Sequence, residues 1–83
     1  LGPGHHLLPG LLRQDEIAGT IRAALPAGPW HTLGGFVMAE LGRIPRPGDQ
    51  VECDGWEFTV VSMDRRRVRT IEVRRTGAEE SHT

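Results

Sequence analysis

The spacing of apolar positions changes period once along the chain, and the change divides it into a helical half and a strand half. From Asp15 to Ala24 the apolar residues Ile17, Ile21, Ala24 and Leu25 recur at helical spacing. Asp15 and Glu16 stand in the first turn, where the helix dipole favours anions. This predicts a helix over 15–24, closed by Pro26, Gly28 and Pro29. A second helical pattern follows Thr32, whose hydroxyl is a good acceptor for an orphan backbone N–H, and it sets Leu33, Phe36, Val37 and Leu41 on one face. It predicts a helix over 33–41, with Gly42 as the left-handed residue that stops it. Gly34 and Gly35, inside this helix, would each cost about 1 kcal/mol relative to alanine on an exposed face, so a close packing contact at the first turn is expected.

After Ile44 the period shortens to two. Pro47-Gly48 marks a turn with positive φ at the glycine, and Gln50 to Cys53 begins a strand. Asp54-Gly55 is the strongest hairpin signal, because both central residues of a type I′ turn need positive φ. Val51–Cys53 and Trp56–Met63 are therefore expected to pair antiparallel, with Phe58 and Val60 on one face. A polar turn at Asp64–Arg66 leads to a strand over Arg67–Arg74. Val68 is out of phase with Ile71 and Val73 there, and a β-bulge near Arg69-Thr70 would return all three to the core face. At the other end, Leu7-Leu8 reads as a short strand entering a turn at Pro9-Gly10, with proline at the second turn position and glycine accepting positive φ at the third.

Together these elements predict an α+β fold, two helices packed on a three- to four-stranded antiparallel sheet. The expected core is Leu33, Phe36, Val37, Leu41, Val51, Phe58, Val60, Val68 and Ile71. At 83 residues the chain fits one domain near the small end of what one hydrophobic core can hold. Residues 1–6 read as a linker, 7–75 as the domain and 76–83 as a polar tail. Cys53 is the single cysteine, so no intramolecular disulfide reinforces the core, and a reducing compartment is favoured. No apolar run approaches the roughly 18–20 residues that span a bilayer, and the beginning of the chain lacks the basic and apolar regions of a signal peptide.

Charge alters this picture at one place. All ten basic residues are arginine, and six of them, Arg65, Arg66, Arg67, Arg69, Arg74 and Arg75, fall between 64 and 75. With Asp64 and Glu72 that stretch carries +4, against −1 for the whole chain. Exclusive use of arginine is what a G·C-rich genome produces, whereas clustering is what an interaction surface requires. Arg65, Arg66, Arg67 and Arg69 are accordingly the candidate contact residues for a phosphate, a lipid headgroup or an acidic partner, since guanidinium forks match phosphate geometry. Nucleic acid is not expected as a partner. The chain has no tyrosine, and Trp30, Phe36, Trp56 and Phe58 fall in core-facing patterns, so a base-stacking platform is missing.

The remaining chemistry-bearing residues do not combine. Gly34-Gly35 lies in an apolar helix with no following Gly-Lys-Ser/Thr, so it is not a phosphate-binding loop. A zinc site would have to draw His5, His6, His31, His82 and Cys53 together from both ends of the chain. Glu52, Asp54 and Glu57 surround a tight hairpin but do not supply the six or more oxygens calcium usually takes. Cys53, flanked by Glu52 and Asp54, lacks the electropositive surroundings of a reactive thiol, and neither Ser62 nor Ser81 sits on a nucleophile elbow. No catalytic, metal or cofactor site is expected, and no enzymatic activity.

The run from Trp30 to Asp49, with Thr32-Leu33-x-Gly35, an apolar helix, and then Leu41-Gly42-Arg43-Ile44-Pro45-x-x-Gly48-Asp49, resembles the signature of the CorC/HlyC transporter-associated domain. Val51, Gly55, Phe58, Val60, Arg67 and Val68 continue it into the hairpin and last strand, and Leu8 through Ile17 resemble the opening elements. The resemblance spans roughly positions 7–75. It implies an accessory domain beside a membrane-spanning region and a pair of CBS domains in one parent chain, at the cytoplasmic face of the cell membrane. It also implies service to magnesium and cobalt efflux or hemolysin-like proteins. Its motif residues read as fold determinants: Gly35 for close packing, Gly42 for the helix stop, Pro45 for termination and Gly48 for positive φ. The fold is likened to part of a flavin-binding fold, but no residue here would bind flavin. CBS neighbours commonly bind adenine nucleotides, so a phosphate-ligand module is the alternative reading. Self-association is left open.

Overall fold

The computed structural model describes residues 4–21, 25, 28 and 30–76. Its elements run β1 (His5–Pro9), α1 (Gln14–Thr20), α2 (Leu33–Leu41), β2 (Gln50–Cys53), β3 (Trp56–Asp64) and β4 (Arg67–Arg75). The four strands form one antiparallel sheet in the order β1-β4-β3-β2, so the first strand lies beside the last. This is the expected α+β architecture, with four strands rather than three. Both edges are kept short or broken, β2 by its four residues and β1 by its terminal Pro9, which limits edge-to-edge pairing.

Three local expectations are met in detail. Thr32 caps α2, its hydroxyl accepting from the Gly35 N–H at 3.1 Å, and Gly42 ends the helix at φ 73° with its N–H on the Met38 carbonyl. Asp54 at φ 53° and Gly55 at φ 79° make the two-residue turn between β2 and β3, in register Cys53↔Trp56 and Val51↔Phe58. Gly48, at φ 99°, turns the chain into β2.

The β4 bulge also occurs, but with a counterpart. Pairing passes from Val60↔Ile71 to Ser62↔Thr70 and then to Met63↔Val68. Val61 is thus an extra residue on β3 and Arg69 an extra residue on β4. The two slips are opposite and cancel, so the register beyond them is the one before them. In an unbroken ladder Arg67 and Arg69 would share the core face with Ile71. The paired bulges bury Val68 instead and turn both arginines outward.

Other expectations are corrected. Helix α1 begins at Gln14 and ends at Thr20, short of the expected 15–24; Ile21 is extended at φ −128°. Gly19 and Thr20 are weak helix formers, the Thr20 hydroxyl bonds back to the Glu16 carbonyl, and leaving the helix lets Ile21 bury fully. Residues 22–24 lie outside the described residues. Strand β1 includes His5 and His6, which the sequence assigned to a linker, because they pair with Arg74 and Val73 of β4. The tail beyond Thr76 also lies outside the described residues. The Pro9-Gly10 turn is displaced by one residue: the Leu12 N–H reaches the Pro9 carbonyl, so proline opens the turn and Gly10 takes no positive φ. Glycine is needed at position 10 for another reason. A Cβ there would overlap the carbonyl oxygen of Val68. Similarly, Gly34 rather than Gly35 makes the closer helix contact, its Cβ position lying 3.1 Å from both the Gly10 carbonyl oxygen and Val68 Cβ.

The core is Ile17, Ile21, Trp30, Leu33, Phe36, Val37, Trp56, Phe58, Val60, Val68, Ile71 and Val73, with Leu41 and Val51 half-buried at its margin. Leu41 and Val51 were expected inside, whereas Ile17, Ile21, Trp30, Trp56 and Val73, all on apolar or core-facing patterns in the sequence, join the core beyond the nine residues named for it. Phe36 is the centre. Its ring meets Trp30 at 5.2 Å and Phe58 at 5.3 Å, both edge-on, as the aromatic quadrupole prefers. Each fully buried Phe, Ile, Leu or Val contributes about 1.5–3 kcal/mol, which is how so small a domain holds without a cross-link.

Candidate functional site

Two groups of polar residues stand out, and they behave oppositely. The first follows α2. The Asp49 carboxylate accepts from the Arg43 guanidinium at 2.8 Å and from the Arg46 N–H at 2.8 Å, while the Asp49 N–H returns to the Arg46 carbonyl. The loop is then stitched to β3 by Gly48 N–H to the Val60 carbonyl and Val60 N–H to the Asp49 carbonyl. The hydrogen bond from Arg43, with that from the Arg46 backbone, holds the Asp49 carboxyl below its ordinary pKa. Arg43, Asp49, Gly42, Gly48 and the buried Pro45 therefore spend their chemistry on the fold, and Ile44 is left exposed.

The second group is the β3–β4 hairpin. Arg65 and Arg66 form its two-residue tip, Arg67 begins β4 and Arg69 is the bulge residue; all four are exposed. Among the described residues, none of the four makes a side-chain hydrogen bond or ion pair. Arg65 adopts φ 61°, in the left-handed region that favours glycine, so the tip holds a strained arginine where a stabler residue would fit. An open depression of about 630 Å³ is bounded by Asp64, Arg65, Arg66 and Arg67.

The sequence cluster of six arginines is thus divided by the length of β4. Arg75 lies at the far end, its guanidinium 5.5 Å from the Trp56 ring, and Arg74 stands opposite Glu57 and His5 on the open face. Sequence reasoning missed two contacts there, the 2.7 Å pair of His5 Nε2 with Glu72 and the tilted approach of the His6 ring to Trp56, 6.0 Å between centroids. Both depend on the β1–β4 pairing, for which no local signal exists.

The other candidates stay apart. Burial, with Glu40 and Asp54 nearby, pushes the Cys53 thiol above its ordinary pKa, opposite to what a nucleophile needs. Glu52 and Glu57 face each other across β2 and β3. Among the described residues no group of three or more His, Cys, Asp or Glu side chains is disposed to hold a metal ion. No helix of the described residues is long and apolar enough to cross a membrane.

Comparison with known proteins agrees with the motif. The family described as "Transporter associated domain", CorC_HlyC, matches residues 1–77. A UPF0053 protein of Mycobacterium tuberculosis is 40% identical over 80 residues, covering 82% of this chain and 18% of that protein. The magnesium and cobalt efflux protein CorC of Salmonella typhimurium is 40% identical over 43 residues, 52% of this chain and 15% of that protein. The chain therefore spans less than a fifth of the length of these relatives. Among solved structures, the CorC_HlyC domain of a Xylella fastidiosa hemolysin, in complex with Mg²⁺ and Mn²⁺, is similar with a TM-score of 0.79 and 28% identity, over 89% of this chain and 90% of that one. The CorC_HlyC domain of Nitrosomonas europaea has a TM-score of 0.78 and 29% identity, over 87% of each chain. The adenine-nucleotide alternative gains no support from these relatives.

Proposed function

The chain belongs to the CorC_HlyC transporter associated domain family, and from that premise we propose that it is a non-catalytic accessory domain of a larger membrane protein that moves divalent cations. The relatives named magnesium and cobalt efflux protein motivate the cargo. In this reading the working module is residues 7–75 extended back to His5 by the start of β1, and the residues on either side of it connect it to the rest of a parent chain. A membrane-spanning region and a CBS pair of that chain are its partners, at the cytoplasmic face of the membrane. The observation that carries the proposal is the division of labour among polar residues. The motif side chains are consumed by caps, turns and the Arg43–Asp49 clamp, whereas Arg65, Arg66, Arg67 and Arg69 project from the β3–β4 hairpin with no side-chain hydrogen bond or ion pair among the described residues. A domain with its chemistry arranged in this way acts by contact.

The test is divalent-cation flux in cells carrying the full-length parent, with and without residues 7–75. Altered flux at equal membrane abundance is expected on deletion. Unchanged flux would overturn the accessory role.

A further inference from the structure

The exposed arginines have an apolar neighbour. Leu11 is 68% exposed, the most exposed large hydrophobic residue of those described. It stands in the turn after β1, and that turn cannot swing inward. The Gly10 N–H donates to the Arg69 carbonyl at 2.9 Å, the Gly10 carbonyl accepts from Gly34 at 2.8 Å, and the Leu12 carbonyl accepts from Leu33 at 2.8 Å. The turn is thus fastened on one side to the β4 bulge and on the other to the start of α2. Because a Cβ at position 10 would overlap the Val68 carbonyl, the close approach is built into the sequence. Leu11 and the arginines share surface relief. An open depression of about 350 Å³ is lined by Leu11, Arg67 and Arg69 together with Pro9 and Asp64, and a second places Arg13 on the other flank of Leu11.

The result is an outward leucine held between Arg13, Arg67 and Arg69, with Arg65 and Arg66 at the adjoining tip. Asp64 lies at its margin on the hairpin side, and Asp15 and Glu16 lie at its margin on the Arg13 side, the Glu16 carboxylate accepting from the Arg13 N–H at 2.9 Å. The start of α2 takes no part as an anion site, since the N–H groups of Leu33, Gly34, Gly35 and Phe36 are all bonded within the chain.

We infer that this end of the domain docks on an anionic phospholipid bilayer, the guanidiniums meeting headgroup phosphates while Leu11 enters the boundary between headgroups and acyl chains. Charge complementarity supplies the attraction, because basic side chains are drawn to the negative leaflet within a Debye length. The leucine decides between a membrane and an acidic protein segment: a projecting turn whose apolar tip stands beside a cluster of arginines matches a surface that is anionic outside and apolar just beneath. The inference rests on the accessory reading only in that the parent chain brings the domain to a membrane.

The experiment is co-sedimentation of the 83-residue chain with phosphatidylcholine vesicles and with mixed phosphatidylcholine–phosphatidylglycerol vesicles, at low and high salt. Binding to the anionic vesicles alone, weakened by salt, is expected. Arg65→Gln/Arg66→Gln/Arg69→Gln should weaken it roughly a hundredfold, at about fivefold per arginine. Leu11→Ser should weaken it about tenfold, both variants keeping the parental melt. Equal binding to neutral vesicles, or parental affinity in the arginine variant, overturns the inference. So does polyglutamate binding that is as tight as vesicle binding and indifferent to Leu11, which would point to an acidic protein partner. Release by inorganic phosphate beyond that caused by chloride of equal ionic strength would point to free phosphate and overturn it too. If vesicle binding fails while deletion of 7–75 still alters flux, the docking surface is wrong and the accessory role stands.

Discussion

Arg43 and Arg66 are the same side chain used in opposite ways. Arg43 leaves a helix stop and reaches an aspartate that also ties down the backbone at Arg46, so its charge, though exposed, is paired within the chain. Arg66 sits at a two-residue hairpin tip with its neighbours Arg65 and Arg67, and the nearest acid, Asp64, is outnumbered. The difference is one of geometry around the guanidinium rather than of residue type. The α2 loop brings the Asp49 carboxylate to its arginine; the hairpin puts Arg65 and Arg66 at its tip and, by way of two cancelling bulges, turns Arg67 and Arg69 outward, where no acceptor meets them. A domain can therefore carry a clustered charge that contributes little to its own stability, and that is the surface where a contact is to be sought.

This contrast can be broken from the core outward. The largest effect belongs to the helix that both regions lean on: Phe36→Ala should cost about 3–5 kcal/mol, enough to unfold a domain of this size. A cooperative denaturant transition near the parental midpoint would show that Phe36 is not the centre of packing. Next, Gly42→Ala should cost about 1 kcal/mol. A Cβ at Gly42 would meet open space, so only the positive φ is penalised, and a much larger loss would mean that the helix stop has a hidden neighbour.

Smaller again is the clamp. The Asp49 pKa is depressed in the folded state by the Arg43 and Arg46 hydrogen bonds, so the native state favours the ionised form. The stabilisation is fully present above the ordinary aspartate range and is lost as the pH falls through the depressed folded value. Urea titrations of parent and Asp49→Asn should accordingly diverge near neutrality and converge in acid, whereas a constant gap at all pH would remove the carboxylate from the account. The smallest effect is expected at the hairpin tip, where Arg65→Gly relieves a left-handed arginine and should raise stability by up to about 0.5 kcal/mol. A clear loss of stability would mean that the Arg65 side chain holds the turn, and the contrast with Arg43 would fail.

Much of the fold could be read along the chain because the signals are local. Thr32 as cap, Gly42 as stop and Asp54-Gly55 as hairpin each follow from what one to four neighbouring residues do to backbone dihedrals, and all three occur as expected. The α2 limits fell in the expected place for the same reason. The α1 limits did not, since Ile21 leaves the helix to reach a core that the local pattern does not describe. The four arginines were legible as a cluster, but their grouping by sequence included Arg74 and Arg75, which the length of β4 carries to the opposite end of the sheet. Leu11 carried no signal at all, because nothing local tells which of the adjacent Leu11 and Leu12 turns outward until their neighbours in space are known.

The sequence by itself therefore determined the turns at Gly48 and Asp54-Gly55, where α2 begins and ends, and that a bulge must bring Val68 into phase. Tertiary structure alone decided that β1 lies against β4, that a second bulge at Val61 compensates the first, and that Gly10 is required by the Val68 carbonyl rather than by its own dihedral. It also decided that Leu11 is presented among arginines. The physical reason is range. Caps and turns are set by hydrogen bonds spanning a few residues, whereas the pairing of His5–Pro9 with a strand some sixty residues later gains nothing until loop closure is complete and the whole core is assembled.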